Sequence, residues 1–440
     1  MIAESSRRGW GLDRRSGISM SARGVARPAL ALVGALCVTW SLGLPAGWGA
    51  QASQTCQDPN LLAAEDYLRQ NNYTKAVEAV ELSISLEPRC DPEAYVMLAT
   101  ARLNLGEKKK AIEACEQGLD TYPKSARLQR YYVSLLRVAA GKEETKAKLE
   151  QCLTRQPNSA VYLKAFGELL MEENPTGQRA EELLAAAAKA APSDAEAHYL
   201  YGKLACVNNN EELCIAELSK AHALAPGDYE AGMQIYTMIG IAEDNLNRPA
   251  EAEAAFQKAL KFNEKLASPS PYAAFQYAVF LANRRRDVDA QRLVDDVLKS
   301  APTYGPAHFE RAKFLAKQRN MEQAATEAEL ALKYAGNDKT QLRTLHAFLA
   351  KTCSALGRLE EAKVHRDWVE AASTHFQRAK LLAEEDKMEE AAVEAEQALE
   401  YAGHDLNQLR AIHAFLVRTY SALGKGQDAK IHEDWLRSHL

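Results

Sequence analysis

The sequence predicts an all-α protein, an α-solenoid of about eleven antiparallel helical hairpins. Three observations carry this prediction: the composition, the spacing of prolines and the positions of small residues. Apolar residues make up 47% of the 440-residue chain, but aromatic residues only 7%. Ala, Leu, Glu, Lys and Gln dominate the chain after its N-terminal segment. These residues favour helices over strands.

A series of prolines recurs at nearly constant intervals. Its members are Pro88, Pro123, Pro157, Pro192, Pro226 and, after one degenerate interval, Pro302. The spacing of about 34 residues indicates a stack of two-helix units, each of which buries its apolar face only against its neighbours.

Small residues keep fixed places within each interval. The first helix carries one at Ala64, Ala99, Gly167, Gly202, Gly240 and Ala278, and the second helix carries one at Ala76, Ala111, Ala180, Ala252 and Ala290. A third place holds Ser83, Gly118, Ala187, Ala221 and Ala259. The first two places are expected to face each other across a hairpin, and the third to contact the next hairpin. Thr145 and Cys214 stand where the facing Ala is expected.

The first 52 residues differ from the rest and match the pattern of a secretory signal peptide. Arginines between Arg7 and Arg27 precede the apolar run at residues 29–44, and an A-x-A sequence follows at residues 50–52. This order of basic, apolar and small residues is typical of cleaved signals. We therefore expect a periplasmic or secreted chain that begins near Ser53, with Met20 as a second candidate start.

Two alternatives stay open for this segment. An uncleaved anchor would hold the chain at a membrane, facing outside, although the apolar run is short for a span of about 20 residues. The pairs in SRRGW and DRRSG also fit a twin-arginine signal. If the signal is cleaved, no stable membrane insertion is expected.

The layout from residue 57 to residue 440 resembles the tetratricopeptide repeat (TPR) family. NNYTKAVEAVELSISLEP, residues 71–88, and NRPAEAEAAFQKAL, residues 247–260, are similar to the family's second-helix pattern. The resemblance implies a TPR superhelix whose concave surface, lined by the first helix of each hairpin, binds extended peptides or partner helices. The loop at residues 262–271 departs from the usual repeat ending.

The last 136 residues, from 305 to 440, consist of two copies of a 67-residue unit of two hairpins. HFERAKFLAKQRNMEQAATEAELALKYAGND, from residue 308, returns as HFQRAKLLAEEDKMEEAAVEAEQALEYAGHD from residue 375, and more than half of the aligned residues are identical. Residues 53–304 are expected to form about seven hairpins.

Histidines occupy one equivalent place on the first helix, four residues before the small one: His198, His308, His346, His375 and His413. In the TPR family this place usually holds a large ring, so we interpret these histidines as half-buried packing residues. The repeated motifs AKVHRDWVE and AKIHEDWLR add His365 and His432 on the second helix.

A metal site is the alternative for these histidines. His346 with His365, and His413 with His432, stand at similar heights of a hairpin and are candidate zinc or copper ligands. The nearby Asp367 and Asp434 point away from the histidines on a helix, so no third ligand is evident. We expect no metal and no cofactor.

Seven cysteines follow the signal, and an exported chain can form disulfides. Cys206 and Cys214 flank a hairpin turn, and Cys56 lies one repeat before Cys90, so these two pairs are the candidates. Enzyme signatures such as G-x-S-x-G, C-x-x-C or H-E-x-x-H do not occur. We expect no catalytic activity.

One cation and one aromatic residue recur on the first helix of each of the last four hairpins. This predicted partner-binding ladder comprises Phe309, Lys313, Phe348, Lys351, Phe376, Lys380, Phe415 and Arg418, and Lys203 shares its register. A second candidate patch holds Arg127, Arg130 and Tyr131. Cations beside rings suit an extended ligand that carries carboxylates and apolar side chains. A scaffold role for the same residues is equally open.

These features favour a non-catalytic exported scaffold or adaptor that binds envelope proteins or peptides. A second hypothesis is an accessory subunit that recognises an envelope polymer or presents a substrate to an enzyme. A third is a metal- or redox-responsive module. The net charge of −5 with interspersed signs gives no basic tract for nucleic acid.

Overall fold

The computed structural model describes residues 58–87, 91–174, 176–403 and 405–439. These residues form 21 α-helices and no β-strand. The predicted all-α solenoid is therefore confirmed. Inter-residue contacts divide the chain into two compact units, of which one ends at Tyr201 and the other begins at Gly202.

The first unit is a row of consecutive antiparallel helix pairs. Its helices are α1 (Pro59–Arg69), α2 (Tyr73–Leu86), α3 (Pro92–Asn104), α4 (Lys108–Thr121), α5 (Ala126–Ala139), α6 (Lys142–Arg155), α7 (Ala160–Glu173) and α8 (Gln178–Ala190). The boundary between the units falls inside α9 (Ala195–Val207).

The second unit continues with α10 (Glu211–Leu224), α11 (Tyr229–Asn245), α12 (Pro249–Asn263), α13 (Pro271–Asn283), α14 (Asp287–Ser300), α15 (Gly305–Lys317), α16 (Met321–Lys333), α17 (Lys339–Ala355), α18 (Leu359–Glu384), α19 (Met388–Tyr401), α20 (Leu406–Ala422) and α21 (Gly426–Ser438). Hairpins 1 to 8 pair α1 with α2 through α15 with α16. Hairpin 9 pairs α17 with the first half of α18, hairpin 10 pairs the second half of α18 with α19, and hairpin 11 pairs α20 with α21.

Hairpins 9 and 10 share one helix, which the repeat pattern does not predict. Helix α18 runs for 26 residues without interruption. Hairpin 8 starts at a Gly-Pro pair, Gly305 and Pro306, whereas the corresponding start of hairpin 10 reads AAST at residues 371–374. Since this stretch contains no residue that ends a helix, the second helix of hairpin 9 continues into the first helix of hairpin 10.

Small residues allow the two helices of a hairpin to approach closely. Ala64 and Ala76 in hairpin 1, and Ala99 and Ala111 in hairpin 2, have no exposed surface. Gly118 allows close contacts both inside hairpin 2 and with hairpin 3, because a Cβ added there would lie 2.6 Å from Tyr95 Cβ on α3 and 2.8 Å from Leu128 Cδ2 on α5. The regularly spaced small residues of the sequence thus mark the places where neighbouring helices approach each other closely.

The turns inside the hairpins have their own local chemistry. Gly357 and Gly424, in the repeated ALGR and ALGK sequences, adopt φ angles of +74° and +71°. This left-handed conformation favours glycine. The long loop after α12 is fastened by Asn263, whose side chain donates to Ser270 O at 2.9 Å and accepts from Ser270 N at 2.8 Å.

The expected signal peptide at residues 1–52 and the candidate disulfide Cys56–Cys90 lie outside the described residues. None of the described helices combines the length and apolar character needed to cross a lipid bilayer.

Candidate functional site

The aromatic half of the ladder lies between first helices in the second unit. The rings of Phe309 and Phe348 meet edge to face with centroids 5.2 Å apart, and those of Phe376 and Phe415 do so at 5.6 Å. Phe309, Phe376 and Phe415 are buried, whereas Phe348 is partly exposed. The rings therefore join neighbouring first helices and offer little free surface to a ligand.

The cations of hairpins 8 and 10 lie against the same rings. Lys313 Nζ is 5.4 Å from the centroid of the Phe309 ring, and Lys380 Nζ is 4.2 Å from that of Phe376. Lys313 also pairs with the buried carboxylate of Glu310. Gln377 stands at the position of Glu310 in the second copy, so this ion pair has no counterpart beside Lys380.

The cations of hairpins 9 and 11 are exposed. Lys351 on α17 and Arg418 on α20 have no carboxylate within ion-pair distance among the described residues. Arg418 Nε makes a long hydrogen bond of 3.4 Å to Ala414 O on its own helix. These two equivalent positions present positive charge that the surrounding protein does not neutralise.

The second candidate patch, in the first unit, is largely neutralised. Arg127 donates to Glu93 Oε1 at 2.6 Å, and Arg137 pairs with Glu168. Tyr131 lies with its hydroxyl 2.7 Å from Thr100 Oγ1 and is partly buried. Of the predicted residues of this patch, only Arg130 is an exposed cation with no carboxylate within ion-pair distance among the described residues. Lys203, at the start of the second unit, is partly buried.

The histidines of hairpins 9 and 11 meet in pairs. Nδ1 of His346 lies 2.8 Å from Nδ1 of His365, and Nδ1 of His413 lies 2.8 Å from Nδ1 of His432. Each pair carries a stacked Trp: Trp368 on His346 at 4.2 Å and Trp435 on His413 at 3.9 Å between ring centroids. The repeated His and Trp of the sequence motif therefore form one packed cluster per copy.

Hydrogen bonding fixes the proton positions in the second pair. Glu396 can only accept, so His432 Nε2–H donates to Glu396 Oε1 at 3.0 Å. When Nδ1 of His432 carries no proton, it accepts from Nδ1–H of His413. Burial and, to a smaller extent, the paired imidazole together lower the pKa of His346 and of His413 to about 4. One proton can be shared between two Nδ1 atoms, but two protons leave no acceptor.

This geometry holds a hydrogen bond rather than a metal. Glu396 contacts the ring nitrogen of His432 that faces away from His413, so the carboxylate does not converge with the two Nδ1 atoms. No group of three His, Cys, Asp or Glu side chains within the described ranges is arranged to bind a metal ion.

The partners of the histidines in hairpins 8 and 10 were not identified from the sequence. His308 Nδ1 contacts Glu327 Oε2 at 2.7 Å, and His375 Nδ1 contacts Glu394 Oε2 at 2.7 Å. His308 Nε2 also lies 2.9 Å from Pro302 O. The signal was present in the sequence, because each of the four first-helix histidines of hairpins 8 to 11 contacts the residue 19 positions later, alternately Glu and His.

The cysteines divide into one bridge and three thiols in the described part of the chain. Cys206 and Cys214, the pair expected to bridge a hairpin turn, form a disulfide between α9 and α10 with a Cα–Cα distance of 5.0 Å. Cys115 and Cys353 are buried and Cys152 is partly buried. Burial raises the pKa of the Cys115 and Cys353 thiols, which disfavours the reactive thiolate.

Comparisons with known proteins agree with the repeat pattern. Family models described as tetratricopeptide repeat match residues 61–126 and 234–266. A search of curated protein sequences found no match.

Solved structures with similar folds include the C-terminal part of a TPR repeat-containing protein from Cytophaga hutchinsonii (16% identity, covering 56% of this chain and 97% of that chain, TM-score 0.42). They also include YrrB, a TPR protein with an unusual peptide-binding site (22%, 42% and 91%, TM-score 0.32), and the human IFIT1 dimer with PPP-AAAA (14%, 87% and 95%, TM-score 0.39).

Proposed function

Since this chain is a tetratricopeptide repeat protein, we propose that it is a non-catalytic scaffold that binds acidic segments of partner proteins along the first helices of hairpins 8 to 11. TPR proteins generally bind other proteins or peptides. The observation that carries the site is the pair of exposed cations, Lys351 and Arg418, at equivalent places of the two copies. Conversely, the basic residues of the first unit mostly have carboxylate partners of their own.

Charge complementarity supports an acidic partner. Two further cations, Lys313 and Lys380, occupy the same place on the first helices of hairpins 8 and 10 as Lys351 and Arg418 do in hairpins 9 and 11. A partner carboxylate would replace water around each exposed cation, with a gain of about 0.2 to 1 kcal/mol for each exposed pair. Several such contacts along one extended segment give specificity for charge and position.

We also propose that the protein is exported and that its partners are proteins of the cell envelope. This part of the proposal rests on the signal-like order of residues 1–52. The disulfide between Cys206 and Cys214 is compatible with an oxidising compartment. Amino-terminal sequencing of the protein recovered outside the cytoplasm would test it, with Ser53 as the expected first residue and recovery only from the cytoplasm as the contrary result.

The binding proposal is tested by crosslinking and affinity capture with a charge-reversed protein. The variant Lys351→Glu/Arg418→Glu changes only exposed side chains. A matched control, Lys363→Glu/Lys430→Glu, makes the same charge change at exposed places on the second helices of the same two hairpins.

We expect wild type and the control to capture the same set of proteins and the Lys351→Glu/Arg418→Glu variant to lose it, with unchanged helical circular dichroism. Equal capture by all three proteins would show that this face is solvated surface and would refute the proposed site.

A further inference from the structure

We propose that hairpin 10 carries a second interaction surface, an open helix face that binds a basic amphipathic helix of a partner protein. This open face lies on one side of the second half of α18 and comprises Thr374, Gln377, Arg378, Leu381, Glu384 and Glu385, all of which are exposed. It does not include the cations on which the proposed function rests, and its test does not depend on them.

The first copy of the duplicated unit shows this face in a covered state. At a shift of 67 residues, the exposed residues Thr374, Gln377 and Leu381 correspond to the buried residues Ala307, Glu310 and Phe314 of α15. The exposed fraction is 2% at Phe314 and 60% at Leu381. Phe314 belongs to an apolar cluster that includes Phe280 and Val294 of hairpin 7. Hairpin 7 therefore covers in the first copy the face that is open in the second.

Helix α14 of hairpin 7 supplies this cover. Three of its residues, spaced one turn apart, contact α15: Asp287 with Lys317 at 2.9 Å, Gln291 with Gln318 at 3.3 Å and Asp295 with Arg311 at 3.8 Å. Val294 of the same helix lies in the cluster that contains Phe314. The cover is thus an amphipathic helix whose apolar side chains pack beside a row of polar contacts.

Hairpin 9 does not supply an equivalent cover to hairpin 10. In a stacked pair of hairpins the second helix of one packs beside the first helix of the next, as α14 does beside α15. The second helix of hairpin 9 and the first helix of hairpin 10 are instead one continuous helix, α18, so they lie end to end. Consistently, Arg311 contacts both Asp295 and Glu327, whereas Arg378 contacts Glu394, the equivalent of Glu327, and no second carboxylate among the described residues.

The charge at one end of the face is reversed between the two copies. Lys317 and Gln318 of the first copy become Glu384 and Glu385 in the second. A carboxylate at the place of Asp287 would face Glu384 with the same charge, whereas a lysine or arginine there would form an ion pair. Glu385 also contacts Lys387 at 2.8 Å on its own turn, so Glu384 is the main acidic contact. Since Leu381 keeps an apolar side chain at the centre, the open face specifies a helix that is apolar on one side and basic at one end.

Helical peptides derived from α14 test this face. Both span residues 286–300 and carry a covalent link in place of Arg292 and Asp296, which are exposed and four residues apart, because an isolated helix of this length is marginally stable in water. The acidic peptide keeps Asp287 and Gln291, and the basic peptide carries Asp287→Lys/Gln291→Lys. Fluorescence anisotropy of the labelled peptides measures their binding to the purified protein.

Two variants of the protein alter the open face. Leu381→Ala shortens the central apolar side chain. Glu384→Lys/Glu385→Gln restores the residues of the first copy and so exchanges the charge. Both variants change only exposed residues, so the fold should be retained, and helical circular dichroism checks this.

The matched control is Glu389→Lys/Glu390→Gln, which makes the same charge change at exposed places on α19. In the first copy the counterpart of Glu389 is Glu322, which pairs with Arg358 of hairpin 9. This position therefore faces the following hairpin and lies outside the open face.

We expect the basic peptide to bind wild type about ten-fold more tightly than the acidic peptide, and Glu384→Lys/Glu385→Gln to reverse this preference. Leu381→Ala should weaken binding of the basic peptide about five-fold, and the control should bind like wild type. The same preference in wild type and in the charge-exchanged variant would refute the proposal. Binding of the basic peptide that Leu381→Ala leaves unchanged would also refute it, because the peptide would then be held elsewhere by charge alone.

A second copy of this chain is the competing occupant of the open face. Sedimentation of wild type and of Leu381→Ala over a range of protein concentrations distinguishes the two occupants. We expect the same mass for both proteins. A wild-type dimer that Leu381→Ala abolishes would assign the face to a second copy and overturn the partner helix.

Discussion

Acidification should weaken hairpins 9 and 11 through their histidine pairs. The pKa of His346 and of His413 is lowered from 6.5 to about 4, chiefly by burial and then by the paired His365 or His432. An unfolded chain therefore binds more protons than the folded one between these two pH values. The contribution of the two residues to stability is fully present above pH 6.5 and is lost as the pH falls toward 4.

The magnitude follows from the difference between the two pKa values. At 1.36 kcal/mol per pKa unit, a fall to pH 5 reduces the stability contributed by each His by about 2 kcal/mol. Solvent reaches part of each cluster and screens the effect, so we halve this figure to about 1 kcal/mol per His and about 2 kcal/mol for both. Burial also lowers the pKa of His365, and the carboxylates of Glu329 and Glu361 oppose this shift in part.

Tryptophan fluorescence reports the two clusters directly. Trp368 and Trp435 are the only tryptophans after residue 52, and each stacks on one of the two histidines. Urea unfolding of the chain from Ser53, followed by Trp emission at pH 7.5 and at pH 5, should show the loss of about 2 kcal/mol.

The control for this prediction is the variant His346→Gln/His413→Gln, since Gln129 occupies the equivalent place in hairpin 3 and donates to Pro123 O there. This variant should lose about 2 kcal/mol less than wild type between the two pH values. If wild type and variant lose the same free energy, the histidine pairs are not the source of the acid sensitivity and the reasoning fails.

Two further predictions concern the scaffold. Replacement of Cys206 and Cys214 by Ser should lower the free energy of unfolding by about 2.5 kcal/mol, because the disulfide closes a short loop. Urea unfolding with and without reductant would measure this loss. A wild-type protein whose stability does not change with reductant would contradict the prediction. Gly118→Ala should destabilise the first unit by about 1–3 kcal/mol, because the added methyl group would press against Tyr95. Gly141 has open space around it, so Gly141→Ala should change thermal unfolding little. Equal effects of the two substitutions would contradict the packing argument.

The solenoid was predictable because its contacts are local and repeat along the chain. Ala64 and Ala76 lie 12 residues apart in the sequence and are both completely buried in one hairpin. Most hairpins repeat this pair of small residues at nearly the same interval, so periodic small residues and prolines suffice to identify the solenoid. The continuous helix α18 escaped the prediction because the family pattern implies a break, although residues 371–374 contain no residue that ends a helix.

The binding face was less predictable because exposure depends on the neighbouring hairpin. The sequence places Phe309 and Lys313 on one side of a helix, but only the structure brings the Phe348 ring against Phe309 and the Glu310 carboxylate against Lys313. Likewise, the sequence gives four cations the same status, whereas the structure leaves Lys351 and Arg418 exposed. Such differences arise from side chains that are distant in sequence or oriented by packing.

The duplication combines two kinds of hairpin, and this combination connects the acid response with the binding face. In hairpins 8 and 10 the first-helix His contacts a Glu, and the cation lies on a Phe ring. In hairpins 9 and 11 the His contacts another His, and the cation is exposed. His346 and Lys351 share α17, and His413 and Arg418 share α20, so each exposed cation is positioned by a helix that a histidine pair fastens. Protonation that separates the pair therefore acts on the same helices that would hold the acidic partner.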